Sequence, residues 1–231
     1  MYYQNVREGL FLRRPNRFIA HCLVEGEEVI AHVPNTGRCG ELLIPGRRVW
    51  LTWHPEPGRK THYTLVTVDK DGLLVNIDSQ APNRIVAESL ENGALELPER
   101  KIVSVRREVT FGESRLDFVA GDADGGRTLM EVKGVTLEEG GLCRFPDAPT
   151  LRGLRHVREL TRAAEKGEQC AVVFVIQMEG MKEFRPNDDT QPEFGKALAE
   201  ARKAGVLLLA QQCHVTPEKV TLAKRVPIVL Q

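Results

Sequence analysis

Two carboxylates and a lysine stand close together in two alternating stretches near the middle of the chain. Asp117 lies in residues 115–120, and Glu131 and Lys133 lie in residues 127–133, after a turn rich in glycine and aspartate. Hard carboxylate oxygens are the ligands that Mg²⁺ and Mn²⁺ prefer. A metal held there would polarise a phosphate and help to generate hydroxide, while an ammonium stabilises charge that develops on the phosphate. The three residues therefore predict metal-dependent hydrolysis of a phosphodiester.

Hairpin geometry decides whether these three side chains meet. Side chains alternate between the two faces of a strand, so Glu131 and Lys133 share a face. A hairpin folded about Asp124 places Asp117 opposite Glu131, and one folded about Gly125 places it opposite Lys133. Either turn has an odd number of residues and unites the cluster, whereas a two-residue turn would separate it. The same alternation predicts an opposite, apolar face formed by Leu116, Phe118, Met130 and Val132.

The alternating charges also have a plainer interpretation. Strands with Asp, Glu and Lys on one face are common, and such charges often only solvate a surface hairpin. The apolar residues on the other face, and helices expected on both sides of the sheet, favour an enclosed cluster instead. A preceding helix at residues 82–90 must pack on this sheet. It would bring Glu88 as a third catalytic and metal-binding carboxylate beside Asp117 and Glu131.

The elements that position the hairpin follow from the hydrophobic pattern after residue 80. Helical periodicity predicts helices at residues 82–90, 149–166 and 192–203. Alternating or continuous apolar runs predict strands near residues 102–110, 115–120, 127–134, 171–176, 206–210 and, at the edge, 226–230. This order of elements predicts a mixed sheet flanked by helices.

The first third of the chain has a different pattern. Turn signals separate short strand-like segments at residues 17–24, 28–33, 49–53, 63–68 and 73–77. Short strands at this spacing, without a convincing helix, predict a small barrel of about five strands. We place the boundary near residues 78–81, which gives a barrel domain at 1–80 and an α/β domain at 81–231.

Composition excludes several classes of protein. Lys and Arg number 32 and Asp and Glu number 32, so a uniformly basic protein is excluded, although a local basic stripe is not. No apolar run is long enough for a membrane span, and the N-terminus shows no secretory signal. The 5 cysteines form no CxxC motif, so we expect reduced, buried thiols in a cytoplasmic protein.

Several segments together resemble one protein family. They are Arg115-Leu116-Asp117-Phe118, Glu131-Val132-Lys133-Gly134-Val135-Thr136-Leu137, Phe145-Pro146-Asp147-Ala148, Arg155-His156, Arg17-Phe18-Ile19-Ala20, Pro34-Asn35-Thr36-Gly37 and Asn83-Arg84. In this order, over essentially the whole chain, they resemble the bacterial and archaeal sugar fermentation stimulation protein (SfsA) family. Each segment alone is a weak signal, but the series is specific.

The resemblance implies a mixed α+β fold, with an OB-like barrel followed by a domain similar to the PD-(D/E)xK nucleases. Asp117 matches the aspartate of that motif, Glu131 and Lys133 match its ExK, and Glu88 lies where such nucleases often carry a helix glutamate. Leu116 replaces the motif's proline, which many members lack. The family is also described as DNA-binding, with a proposed regulatory role in sugar metabolism.

Basic residues indicate where nucleic acid would bind. Arg155, Arg158 and Arg162 recur at i, i+3 and i+7 on the helix at residues 149–166, a spacing that meets phosphates, although a solvated helix face explains it equally well. His156 could contact phosphate or transfer a proton, but a lone helical histidine is more often structural. On the barrel, basic residues with Trp50, Trp53 and Tyr63 could bind a single strand, whereas the alternative, favoured for Trp50, is that the tryptophans fill the barrel core. The predicted nucleic-acid contacts are Arg13, Arg17, Asn35, Thr36, Arg84, Arg152, Arg155, His156 and Arg158.

The leading hypothesis is a DNA-binding protein with a Mg²⁺- or Mn²⁺-dependent nuclease site. DNA is the expected partner, RNA is the alternative, no membrane is involved and a homodimer is allowed. The main rival is a non-catalytic DNA-binding transcriptional regulator that retains the nuclease fold. A third hypothesis is a module that binds partner proteins through the barrel.

Overall fold

A five-stranded barrel forms the first part of the computed structural model, which describes residues 1–35, 37–95, 97–98, 101–112 and 114–230. The barrel strands are β1 (Val6–Asn16), β2 (Ile19–Val24), β3 (Glu27–His32), β4 (Arg48–Trp53) and β5 (Tyr63–Lys70), and a sixth strand, β6 (Leu73–Asn76), follows them. β1 pairs with β2 and β4, while β5 pairs with β3 and β4, which closes the ring. β6 extends β5. The predicted OB-like barrel is confirmed.

Strand β1 was not among the predicted strands. Its sequence mixes charged and apolar residues, and Gly9 and Phe11 are its buried positions. With only two buried residues among the eleven of this strand, the alternation of apolar and polar side chains is too weak to predict a strand. Phe11 nevertheless packs in the barrel core, with Leu51 and Leu65 from the neighbouring strands.

The second part is a mixed sheet with three helices. Its elements are α1 (Ala81–Glu91), β7 (Ile102–Phe111), β8 (Ser114–Asp122), β9 (Arg127–Val135), β10 (Leu137–Glu139), β11 (Leu142–Phe145), α2 (Leu151–Glu165), β12 (Gln169–Ile176), β13 (Glu183–Pro186), α3 (Pro192–Lys203), β14 (Leu207–Val215) and β15 (Val220–Arg225). The main sheet has the order β15-β14-β12-β9-β8-β7, and β10, β11 and β13 form a small second sheet. β9, β12 and β14 are parallel and the outer strands antiparallel, so the predicted mixed sheet is confirmed.

Helices cover both faces of the main sheet. On one face, α1 packs its buried Ile85, Val86 and Leu90 against a cluster that contains Phe118 and Met130. On the other face lie α2 and α3, whose buried apolar residues are Leu154, Val157, Leu160, Phe194 and Leu198. Because both faces are covered, the central strand β12 is a continuous apolar run. Within the described ranges, none of the helices has the length and apolar character needed to cross a bilayer.

Strand β8 changes face at Asp117. Leu116 packs with Val119 beneath α2, whereas Phe118 packs on the α1 side. On the adjacent strand β7, Arg107 pairs with Phe118 and Val109 pairs with Leu116. Glu108 lies between these two pairs, and its φ of 54° interrupts the extended backbone. The expectation that Leu116 and Phe118 share one face is therefore wrong.

The last strand along the chain, β15, forms one edge of the main sheet. The prediction of an edge strand at residues 226–230 is wrong. Pro227 in that segment has no N–H to donate to a ladder. Ile228 forms an isolated bridge with Phe184 instead. The five cysteines are free and buried, as predicted.

Polar side chains join the barrel to the α/β domain. Gln177 at the end of β12 donates from Nε2 to Asn76 Oδ1 (2.8 Å) and to the Asp78 carbonyl (3.0 Å). Lys70 on β5 pairs with Glu138 on β10 at 2.5 Å. Apolar residues of both parts belong to one continuous buried cluster. The junction is therefore packed and hydrogen-bonded like the interior of a single domain.

Candidate active site

The hairpin of β8 and β9 has the odd turn that the cluster requires. Phe118 pairs with Met130, and Gly121 pairs with Arg127. That last pair leaves residues 122–126, five in number, in the turn. This register directs Asp117 towards Glu131, whose strand also carries Lys133.

Glu131 lies at the centre of the cluster and is 2% exposed. Its Oε1 accepts a hydrogen bond from Lys133 Nζ at 2.5 Å and also contacts Nδ1 of His156. Its Oε2 is buried and has no hydrogen-bond partner within the described part of the chain. An unpaired buried carboxylate oxygen is costly, which makes this atom a candidate ligand for a cation.

Asp117 is held in place by two donors. The backbone N–H of Val132 donates to Oδ2 at 2.8 Å, and Nδ2 of Asn83 donates to Oδ1 at 2.9 Å. Asn83 stands in the first turn of α1. These bonds fix the carboxylate beside Glu131 while each oxygen keeps a free lone pair.

The pKa values of the two carboxylates are shifted in opposite directions from their ordinary values. Burial, and then the charge of Glu131, raise the pKa of Asp117 above its ordinary value, outweighing the bonds from Val132 and Asn83. Burial also raises the pKa of Glu131, but the hydrogen bond from His156 and the charge of Lys133 outweigh it and leave this pKa below its ordinary value. Asp117 is therefore harder to ionise than a free aspartate, and Glu131 is easier to ionise than a free glutamate.

His156 lies inside the cluster and not on a nucleic-acid surface. It is 2% exposed on the inner face of α2, a helix whose first turn is capped by Thr150. At this depth the ring cannot reach a phosphate on the outer face of the helix. His156 lies three residues after Gly153 and one before Val157, and both of these residues are buried. This helical spacing is the sequence signal that indicates an inward direction for His156.

Glu88 does not join the cluster. Its carboxylate pairs with the amino group of Met1 at 2.6 Å and is half exposed. Five residues along a helix turn the side-chain direction by about 140°, so the orientation that brings Asn83 to Asp117 points Glu88 away. Sequence reasoning therefore chose the wrong residue of α1 and missed Asn83. Among the described residues, no three His, Cys, Asp or Glu side chains stand together as a metal-binding group.

The arginines of α2 form an exposed row. Arg152, Arg155, Arg158 and Arg162 are all exposed and form no ion pair with any residue that the structure describes. Guanidinium groups without a protein partner remain available to phosphate oxygens. The row lies on the outer face of the helix that carries His156 on its inner face.

The predicted contacts on the barrel have different surroundings. Arg13 is engaged with Glu28 at 2.5 Å, whereas Arg17 is exposed and unpaired within the described ranges. Asn35 serves the local backbone, since it donates to the Ile77 carbonyl at 3.0 Å and accepts from Gly37 N–H at 2.8 Å. Thr36 lies outside the described residues.

The loop that contains Asn35 faces the α/β domain. Arg14 holds it through hydrogen bonds to the carbonyl groups of Asn35 (2.6 Å) and Gly37 (3.0 Å). A Cβ atom on Gly37 would lie 2.4 Å from the Asp147 carboxylate, so only glycine permits this close approach. A polar cavity of about 160 Å³ lies between this loop and β9.

Comparisons with known proteins cover both parts of the chain. Residues 12–77 match the family model described as the SfsA N-terminal OB domain, and residues 80–219 match the sugar fermentation stimulation protein RE domain. A sugar fermentation stimulation protein homolog from Clostridium tetani is 46% identical over 227 residues, covering 98% of each chain. A homolog from Desulfitobacterium hafniense is 48% identical over 220 residues, covering 95% of this chain and 94% of its own.

The comparison with solved structures includes a match over the full length of the chain. The structure of Pyrococcus furiosus SfsA in complex with Ca²⁺ superposes with a TM-score of 0.88 at 31% identity. The match covers 100% of this chain and 98% of the other.

Proposed function

The chain belongs to the sugar fermentation stimulation protein (SfsA) family, and from this premise we propose that it is a DNA-binding protein that hydrolyses phosphodiester bonds with a divalent metal ion. The observation that carries the proposal is the buried, unpartnered Oε2 of Glu131 beside the carboxylate of Asp117. The link to sugar metabolism rests on the name of the family alone.

The donor set fits Mg²⁺ or Mn²⁺. Two carboxylates face one lysine, and the raised pKa of Asp117 reflects burial and a local excess of negative charge. Mg²⁺ is commonly bound through one or two carboxylates, with water and substrate phosphates completing its coordination. Asp117 and Glu131 suffice for this arrangement without Glu88. The complex of the Pyrococcus furiosus relative with Ca²⁺, another hard divalent cation, supports it.

Each residue of the cluster has a role in hydrolysis. The bound ion would supply polarisation of the phosphate and a water of lowered pKa. Asp117 and Glu131 supply the oxygen ligands, while Asn83 orients Asp117. Lys133, now 2.5 Å from Glu131, places its ammonium where charge develops on the phosphate.

DNA is the proposed substrate because unpaired arginines lie outside the cluster. Arg152, Arg155 and Arg158 line the outer face of α2, and Arg17 and Arg84 are exposed elsewhere. Such residues bind the phosphate backbone and position it without reading sequence.

A cleavage assay with purified protein tests the proposal. Labelled single-stranded and duplex DNA would be incubated with Mg²⁺, with Mn²⁺ and with EDTA. We expect cleavage with either metal and none in EDTA. DNA binding without cleavage under any metal condition would contradict the nuclease and support the non-catalytic regulator.

Divalent metal binding is expected to weaken as the pH falls. The metal needs the ionised carboxylate, so protons compete with it at Asp117, whose pKa is raised above 3.8. The pKa of Glu131 lies below its ordinary value, so Glu131 is ionised over more of the acidic range than a free glutamate. Calorimetric titration with Mn²⁺ between about pH 4 and pH 8 should show an affinity that rises with pH and then levels off above the pKa of Asp117. An affinity that is independent of pH, or that still rises at the alkaline end, would contradict this assignment.

The double substitution Arg155→Ala and Arg158→Ala is expected to weaken DNA binding mainly at low salt. Each lost phosphate contact should reduce the slope of log affinity against log salt by about one. The matched control is Lys196→Ala with Lys203→Ala, which removes two exposed charges from α3. An equal loss in both double variants would mean that only net charge matters and that the row on α2 has no special role.

A further inference from the structure

A groove of about 520 Å³ runs between the barrel and the first helix of the α/β domain. Its walls come from the first residues of the chain, from the end of β4 with the segment that follows, and from the start of α1. This volume lies within the range of roughly 300–1,000 Å³ that is typical of ligand pockets. None of the residues of the Asp117 cluster lines it.

Aromatic rings are exposed in this groove. Tyr2 is 66% exposed and Trp53 is 36% exposed. Lys219 lies over the Tyr2 ring, with Nζ 5.1 Å from its centroid. His54 adds a third ring, fixed by contacts of its Nε2 with the hydroxyls of Thr52 (3.0 Å) and Thr64 (3.2 Å). The exposed area of these rings inside the groove is available for contact with a partner.

The charges of the groove are suited to a phosphate backbone. Arg59 and Arg84 line it, and neither forms an ion pair with a described residue. Of the two acidic residues in the lining, Asp78 is buried and already accepts hydrogen bonds from the Tyr3 hydroxyl (3.0 Å) and from the backbone N–H of Gln80 (2.9 Å). The exposed charged side chains of the lining are therefore Arg59, Arg84 and Glu56, while the charge of Asp78 lies buried beneath them.

The groove leads to the candidate active site through α1. Gln80 and Arg84 line the groove, and Asn83, the neighbour of Arg84, bonds to Asp117. Consecutive residues are about 3.8 Å apart at Cα. Successive helix residues point about 100° apart, so Arg84 and Asn83 lie on different sides of the first turn of α1, the one on the groove and the other on Asp117.

Stacking rings and guanidinium groups together favour a single strand over a duplex. Bases in a duplex are stacked on each other and do not offer their faces to a protein ring. Unpaired bases do, and base–aromatic stacking with a basic groove is the usual means of binding single strands. OB barrels commonly provide such a surface.

We infer that this groove binds single-stranded DNA, with bases stacked on Trp53 and Tyr2 and phosphates held by Arg59 and Arg84. The inference rests on the proposed phosphodiesterase, because the groove would hold a single-stranded part of the DNA that this enzyme cuts. It deepens that proposal by naming DNA with an unpaired segment as the substrate class.

Binding in EDTA tests the groove without any cleavage. The affinity for an oligodeoxythymidylate and for a duplex of equal length would be measured in the wild type, Trp53→Ala and Phe18→Ala. Phe18 is a matched control because it is exposed on the barrel (55%) and does not line the groove. We expect Trp53→Ala to weaken single-strand binding about tenfold or more, with Phe18→Ala and the duplex affinity changed less than about threefold. Equal losses in both variants, or for both DNA forms, would overturn the inference.

Intrinsic fluorescence gives a second measurement on the unaltered protein. Trp50 is buried and Trp53 is exposed, so stacked bases should quench Trp53 and leave Trp50. The quenching should disappear in Trp53→Phe, which keeps a ring and most of the affinity. Absence of quenching at saturating DNA, or displacement of the DNA by RNA of the same sequence at equal concentration, would refute the assignment to DNA. A negative result for single-strand binding does not change the outcome of the metal-dependent cleavage assay. Conversely, an absence of cleavage does not change the binding measured in EDTA.

Discussion

Asp117→Asn is expected to lower the rate of metal-dependent DNA cleavage by about 10³-fold. The change removes one of two charged metal ligands, and loss of a single electrostatic contribution to a transition state commonly costs about 10²–10³-fold in rate. Asparagine still offers one oxygen to the Val132 N–H, which now donates to the carboxylate at 2.8 Å. Single-turnover cleavage with Mg²⁺ measures the rate, and calorimetry with Mn²⁺ measures the accompanying loss of metal affinity.

The fold should tolerate this substitution. A carboxyl group whose pKa is raised in the folded state destabilises that state when it is ionised, so removing the charge of Asp117 should not lower the melting temperature at neutral pH. Asp124→Asn is the matched control, since Asp124 is exposed in the turn of the same hairpin. Unchanged cleavage by Asp117→Asn, or an equal loss in Asp124→Asn, would exclude Asp117 from catalysis.

Lys133→Met should separate catalysis from metal binding. Methionine keeps a long unbranched side chain but removes the ammonium, so we expect cleavage to fall about 10²–10³-fold. Metal affinity at about pH 8 should stay the same or become tighter, because a positive charge 2.5 Å from Glu131 disappears. The charge of Lys133 lowers the pKa of both carboxylates, so the loss of metal binding on acidification should begin at a higher pH in the variant.

Two controls define this result. Lys196→Met makes the same change at an exposed site on α3 and should leave cleavage unchanged. Lys133→Arg keeps a positive charge and should retain more activity than Lys133→Met. If Lys133→Met instead weakened metal binding at about pH 8 as much as cleavage, its role would be to hold the site together.

The hairpin illustrates what local pattern can determine. Alternation within β8 and β9 and the parity of the turn depend on neighbours in sequence, and these predicted that Asp117 would face Glu131. The change of face at Leu116 could not be predicted in the same way. It lies opposite Glu108 on the adjacent strand, whose positive φ of 54° is not indicated by any periodicity within β8.

The errors on the helices have a common cause. Glu88 and Asn83 both lie on α1, and the sequence alone does not fix the rotation at which a helix meets a sheet. The buried face of α1 contains Ile85, Val86 and Leu90, and this face sets a rotation that directs Asn83 to Asp117. The prediction of His156 as a nucleic-acid contact rests on its side-chain type, whereas its buried neighbours Gly153 and Val157 indicate the inner face of α2.

The hydrogen-bonded junction between Gln177 and the barrel has a consequence for how the protein unfolds. Asn76 and Gln177 are almost fully buried; Gln177 Nε2 donates to Asn76 Oδ1, while Asn76 Nδ2 donates to the Val66 carbonyl. Separating the barrel from the sheet would break the bond between the two amides and split one continuous apolar cluster. We therefore expect the two parts to unfold in a single cooperative transition.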